Sequence, residues 1–285
     1  MLPGVYSAVK ESGKKYFRAS VTYNGKHISL GSYDKESDAH QAYLLSREVL
    51  SDQPAWSIEN YPNSCILSFH KWVVLINFRD NKLYIKNPIY IKKKYFLYYI
   101  DQETCLKFDA DDLFYYAHHK ILQRGGHLFV SDYGMQVNIL SRYGIKNYAV
   151  PGKDYIFVNG DDKDFSYQNI EVINKFYGVS KKNKKGHIIY IAKIHINGDY
   201  IIGRYSTEIE AAIAYNKAVL ILKSNGLDRN YQQNFIEGID EITYASIYQK
   251  IRISKKFIAY AENINKKPLV KSNTIMLFVN NLLNF

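Results

Sequence analysis

Arg18, Ser20 and Thr22 stand at alternate positions of the segment Lys15–Tyr23, and the positions between and around them hold Phe17, Ala19, Val21 and Tyr23. A period of two puts the polar set on one face of a strand and the apolar set on the other. A guanidinium fork on such a face can pair with both acceptors of a guanine edge. Ammonium and hydroxyl groups there hold phosphate oxygens, which positions a protein without specifying a sequence. The same face gathers Tyr6, Ala8 and Lys10 from Gly4–Lys10, and His27 and Ser29 from Lys26–Tyr33. A later stretch offers Ser180, Lys182, Lys193 and His195 in the same way. The candidate nucleic-acid contacts are therefore Tyr6, Lys10, Arg18, Ser20, Thr22, His27, Ser29, Ser180, Lys182, Lys193 and His195. Arg18 is the expected base reader, and Lys10, Lys182 and Lys193 are the expected phosphate holders.

These residues need a sheet beneath them, and the sequence supplies one twice. In the first copy, Asn24-Gly25 joins two alternating segments and is a strong hairpin signal, because a type I′ turn needs positive φ at both central residues. Asp34 is an expected helix cap, and Ala39, Ala42, Tyr43, Ser46 and Leu50 share one face of the helix that follows. In the second copy, Tyr190, Ala192, Ile194 and Ile196 alternate toward the core, Asn197-Gly198 repeats the turn, and Thr207–Glu210 reads as a capping box. Ala211, Ala214, Tyr215, Ala218 and Leu222 form its helical stripe, stopped at Asn225-Gly226. Counted from Gly31 and Gly203, Ala39 matches Ala211 and Tyr43 matches Tyr215. Such self-similarity marks one supersecondary unit used twice.

Between the copies, residues 51–64 read as a polar linker. Residues 65–100 alternate (Trp72, Val74, Ile76, Phe78, then Tyr84 to Tyr99) and read as strands. Asp109–Ile121 reads as a helix, Gly125–Val130 as a strand, 137–145 as a short helix and 154–174 as turns. Lys92-Lys93-Lys94 reads as a solvated turn or edge. Beyond Asp240, one helix (Ile242–Ala261), a break near Pro268 and an apolar end (Ile275–Phe285) are expected. The expected class is α+β: two small three-stranded antiparallel sheet-plus-helix domains around a central α+β domain, closed by a helical segment. The expected domains are 1–52, 65–174, 175–232 and 239–285.

The formal net charge is +11. Residues 1–60 balance seven basic against seven acidic side chains, while residues 175–238 carry ten against five. Within the first copy, Lys10, Lys14, Lys15, Arg18 and Lys26 lie on the strands, and Glu36, Asp38 and Glu48 lie on the helix. A basic sheet backed by an acidic helix suits a polyanionic partner. The two cysteines, Cys65 and Cys105, are too few for a disulfide framework or a cysteine zinc site and fit a reducing compartment. No run of apolar residues reaches the length of a membrane span, and no leader sequence is expected.

Both copies resemble the APETALA/ethylene-response-factor (ERF) DNA-binding domain over about 45–50 residues each. In the first copy the resemblance rests on Gly4-Val5, Lys15–Val21, Asn24-Gly25, Leu30–Tyr33 and Ala39 to Tyr43. In the second it rests on Gly178-Val179, Ala192–Ile194, Asn197-Gly198, Gly203–Tyr205 and Glu210 to Tyr215. It implies a three-stranded sheet laid in the DNA major groove with the helix behind. Plant members carry several Arg and Trp on that face, where this chain has Tyr6, Ala8, Ser20, Thr22, Ser180 and Ile201.

The preceding segment resembles HNH homing endonucleases. Leu140-Ser141-Arg142, Tyr155–Asp161, Asp164–Ser166 and Asn169-Ile170 stand for the family's motifs. Arg142, Asn159, Gly160, Asp161, Asp164 and Asn169 match scaffold positions. The general-base histidine is replaced by Phe157, the metal-binding aspartate by Ile156, the first-motif histidine by Ser141 and the central asparagine by Phe165. Hydrolysis of this type needs an imidazole to activate water and ligands to hold a divalent ion, and Phe157 and Ile156 supply neither. His118 and His119, adjacent on a helix, point apart and do not rescue the site, and Asp161, Asp162 and Asp164 read as a solvated acidic turn.

The expectation is a non-enzymatic, sequence-preferring binder of double-stranded DNA, serving in transcription regulation. It has no catalytic residues, metal or cofactor and no membrane partner, and it can self-associate through its C-terminal segment. The rival readings are an HNH endonuclease or nickase with residual activity, and a protein-interaction module with weak DNA binding. The expected location is nucleoid-associated cytoplasm for a prokaryotic or phage chain and the nucleus for a eukaryotic one.

Overall fold

The computed structural model describes residues 1–51, 56–227 and 229–264. The expected break at Pro268 and the apolar end, Ile275–Phe285, lie outside the described residues. The fold is α+β, built around small antiparallel sheets. No helix among the described residues is long and apolar enough to cross a membrane.

The first copy forms β1 (Val5–Val9), β2 (Lys15–Tyr23) and β3 (Lys26–Tyr33), paired antiparallel in that order, and then α1 (Glu36–Leu50). Ala39 and Ala42 are fully buried against the sheet, where small side chains let helix and strands approach. The helix cap differs from expectation. Lys35 is the N-cap, with no side-chain cap bond, and Asp34, one residue earlier, pairs with Lys14 at 2.9 Å instead.

One irregularity sets the geometry of this sheet. Ala19 pairs with Gly31 and Ser20 with Ser29, so Leu30 is an extra residue on β3. A bulge reverses the phase of alternation beyond it. Ile28 and Leu30 face the core, yet it is Tyr33 rather than Ser32 that packs inward after the bulge.

The expected strands over residues 65–81 are instead a helix, α2 (Phe69–Asn81), capped by the Ser68 hydroxyl and closed by Lys82 in the left-handed region. Trp72 through Phe78 are all buried. A helix apolar on every side has no stripe, and its β-branched run mimics a buried strand. Its core is continuous with that of the first copy: Trp72, Val73, Leu75, Ile76 and Phe78 pack with Val5, Ala19, Ile28, Ala39 and Val49.

Next come β4 (Ile89–Ile91), β5 (Tyr95–Tyr99) and β6 (Cys105–Asp109), with Lys92–Lys94 in the turn between the first two. The expected helix over 109–121 is reduced to a 3₁₀ turn and α3 (Leu113–His118). A meander follows: β7 (Ile121–Arg124), β8 (His127–Asp132) and β9 (Met135–Asn138). After a 3₁₀ turn at Ile139–Tyr143 come β10 (Tyr155–Phe157), β11 (Asp164–Phe165, parallel to β6) and β12 (Ile170–Val172, paired with β10). The β10–β12 ribbon leads straight into the second copy; between its strands lie a loop, β11 and the 3₁₀ turn Tyr167–Asn169, with no α-helix. The helix of a ββα unit is not found at this point of the chain.

The second copy forms β13 (Val179–Lys184), β14 (His187–His195), β15 (Asp199–Tyr205) and α4 (Glu208–Ser224). The capping box is present, with Thr207 accepting from the Glu210 amide and Glu210 accepting from the Thr207 amide. The bulge recurs: Ala192 pairs with Gly203 and Lys193 with Ile201, leaving Ile202 as the extra residue. The single expected C-terminal helix is two, α5 (Glu241–Lys250) and α6 (Lys255–Glu262). Ser254 donates its amide to the Ile202 carbonyl on the edge of this sheet, and Phe257 and Ala261 are buried in the same core as Val179 and Ala218.

The described residues divide into two compact units, Met1–Asn147 with Ile156–Glu171, and Tyr148–Tyr155 with Val172 onward. The first copy thus shares a unit with most of the central segment, and the second shares one with α5 and α6.

Candidate nucleic-acid interface

Strand register assigns the face opposite each helix. In the first copy, Tyr6, Arg18 and Ser32 form one cross-strand row, Ala8 and Tyr16 the next, Ser20 and Ser29 a third, and Thr22 and His27 a fourth. In the second copy the equivalent rows are Ser180–Ile191–Arg204, Lys182–Ile189, Lys193–Ile201 and His195–Asp199.

The first face centres on Tyr16, which the alternation Tyr16–Arg18–Ser20 places on this side and which is absent from the expected contacts. Arg18 donates to the Tyr16 hydroxyl from Nε at 3.1 Å and Nη2 at 2.7 Å. The Arg18 guanidinium lies 5.4 Å from the Tyr16 ring centre and the Lys10 ammonium 5.9 Å. Two cations thus share one aromatic ring, which holds them on the outer face against their own side-chain entropy. Tyr6 is exposed beside them, and Thr22 Oγ1 lies 3.4 Å from His27 Nδ1. Ser29 is exposed.

Ser20 departs from expectation. It points outward by register but is only 7 % exposed. Its short side chain is recessed, and its amide donates to the Gly4 carbonyl at 3.0 Å. The basic residues expected on the strands are also less available than their number implies, and Lys10 and Lys14 fall in the turn between β1 and β2. Lys14 is paired with Asp34, and Lys26 sits 5.0 Å from the Tyr84 ring centre.

The second face is arranged differently. Lys182 and Lys184 are exposed, and Ser180 is half-buried. Lys193 and His195 both turn to Asp199. Lys193 Nζ is 3.7 Å from Oδ2, and His195 Nδ1 is 3.0 Å from Oδ1. The His195 hydrogen bond, together with the Lys193 charge, holds the Asp199 carboxyl below its ordinary range. A carboxylate therefore stands among the expected phosphate holders, and Asp199 was not among the expected contacts. Arg204 was also missed. It is exposed, and no hydrogen bond or ion pair of its side chain is found among the described residues. Counting by twos from Ile202 sends Arg204 inward; the bulge turns it outward. The outer faces therefore carry Arg204 as well as Arg18, the expected base reader. Ile191, at the position of Arg18, is only 5 % exposed.

Glycines fix both sheets to their helices. Gly4 and Gly178 have φ near +74° and +67°, and a Cβ on either would fall 2.1–2.2 Å from the ring of Tyr43 or Tyr215. The equivalent helix tyrosines thus lie directly on the start of β1 and β13.

In the central segment, the residues matching HNH scaffold positions hold one loop together. Asn169 donates to the carbonyls of Asp161 and Asp164, and its Oδ1 accepts from the Asn159 amide. Burial alone raises the Asp164 carboxyl pKa, but hydrogen bonds from Ser166 and Lys107 outweigh it and leave the value below ordinary. Arg142 pairs with the buried Asp112 and lies 3.9 Å from the Tyr115 ring centre. Phe157 packs edge-on against Phe165 at 5.8 Å, and Phe165 stacks on Phe108 at 5.3 Å. His118 contacts the Phe114 ring and carbonyl, whereas His119 stacks on Tyr115 with Nε2 3.6 Å from Asp132. The two imidazoles serve separate local contacts. No group of three His, Cys, Asp or Glu side chains arranged to hold a metal is found among the described residues. Burial pushes the Cys105 thiol up to about 11 and raises that of Cys65, so neither presents a thiolate near neutrality.

No family model matches this chain, and no curated protein or solved structure matches it.

Proposed function

We propose that this chain is a non-enzymatic, sequence-preferring binder of double-stranded DNA that acts as a transcription regulator through its two sheet faces. The observation that carries this reading is the Lys10–Tyr16–Arg18 cluster: two cations organised on one aromatic ring, on the open side of a three-stranded sheet. An arginine held in this way offers a fork to a base edge, and lysine neutralises a phosphate. The exposed Lys182 and Lys184 support the same role for the second copy. Two binding surfaces on one chain raise affinity through effective concentration. The central segment serves as scaffold in this reading; Phe157 and Phe165 pack on each other where a nuclease of the resembled family needs polar groups.

Gel shifts of the full chain on random duplexes across a salt series test the proposal. The expected result is a shift at low salt whose log affinity falls linearly with log salt as counterions are released. No shift at low salt refutes binding. Nicking of plasmid with Mg²⁺ or Mn²⁺ refutes the non-enzymatic part.

A further inference from the structure

We infer that the two copies read unlike half-sites, with Arg204 as the base-reading arginine of the second copy and Asp199 as its cytosine acceptor. The inference rests on the reading of both outer faces as duplex-binding surfaces. Its evidence is the row-by-row comparison of two sheets that share one framework. In the outer row just before the bulge on the middle strand, the first copy places arginine on that middle strand, Tyr6–Arg18–Ser32, and the second places it on the edge strand, Ser180–Ile191–Arg204. The middle position of the second row is closed, because Ile191 is buried. The backbone position that bears the arginine has moved sideways by one strand spacing, about 4.8 Å. That exceeds the ~3.4 Å between successive base pairs. Two sheets docked alike therefore address guanines at different offsets.

The terminal row diverges as well. The first copy has Thr22 and His27, and the second has His195 and Asp199. A carboxylate facing DNA is repelled by phosphates, yet it accepts from the amino group of cytosine. Lys193 offsets the charge of Asp199, and Lys193 and His195 together fix its position. The first copy has no acid on its paired outer rows. The second copy thus combines an arginine that selects guanine with an acid that selects cytosine, and its preference differs from that of the first.

Selection of the full chain on a random duplex library tests this. The expected consensus has two blocks of different sequence. Arg204→Ala erases a guanine preference in one block and leaves the other intact, with a loss on the preferred site of roughly 5- to 150-fold. Asp199→Ala erases a cytosine preference in that same block, and Arg18→Ala acts on the other. Arg204→Lys keeps the salt dependence but loses the guanine preference, which separates base reading from phosphate contact. Two copies of one motif, or Arg204→Ala leaving both blocks unchanged, overturns the inference while salt-dependent binding stands. Failure to enrich any duplex, with no shift at low salt, removes the underlying function itself.

Discussion

Gly178→Ala tests whether the start of the second sheet is locked onto its helix. The perturbation adds one methyl group at φ near +67°. That conformation costs a non-glycine residue about 1–2 kcal/mol. The added Cβ would also lie 2.2 and 2.3 Å from ring atoms of Tyr215 and 2.4 Å from the Lys193 carbonyl oxygen. Overpacking of this kind costs roughly 1–3 kcal/mol, so the total is about 2–5 kcal/mol. Gly186→Ala is the control, because it has φ near +83° with nothing within 4 Å and bears the conformational cost alone. Urea unfolding of the full chain should show Gly178→Ala clearly less stable than Gly186→Ala. Adding Tyr215→Ala to Gly178→Ala should not restore stability, because the Lys193 carbonyl is backbone and cannot swing aside. The Lys193 amide also donates to the Gly178 carbonyl at 2.7 Å, so the same change should disturb Lys193 on the outer face. Equal destabilisation by the two alanines would refute the claim that close packing, rather than turn geometry, requires glycine at 178.

Phe257→Ala should cost about 3–5 kcal/mol, since Phe257 is 1 % exposed in the core of the second copy; chemical denaturation checks this, and a negligible loss would mean α6 is not part of that core. Asp164 has a folded pKa below its unfolded value, so its contribution is present above about pH 4 and is lost as the pH falls through the folded value. Stability followed over pH 2–7 should therefore fall more steeply on the acid side for the native chain than for Asp164→Asn. Lys182→Ala should weaken binding alike on all duplexes and lower the salt slope by about one, as loss of a phosphate contact requires; a change confined to one sequence would assign Lys182 to base reading.

Each copy of the repeated unit was legible because its signals are local. Asn24-Gly25 and Asn197-Gly198 fix the hairpins, the strand periodicity separates Phe17, Ala19 and Val21 from Arg18 and Thr22, and the Thr207–Glu210 cap starts α4 where expected. Helix α2 was not legible, because a helix buried on all sides leaves no periodic trace. The fate of the lysines was also hidden. Whether Lys14 meets Asp34, or Lys193 meets Asp199, depends on which strands lie side by side.

The faces themselves show the same division. Sequence by itself determined that two similar sheets each expose a polar side, since alternation is a property of the strand. Only the tertiary structure decided which residues end up there. The extra residues Leu30 and Ile202 become bulges only when β3 and β15 pair with their neighbours. A bulge shifts the phase of every later side chain. That shift brings Arg204 out and Tyr205 in, and no count along the chain alone reveals it.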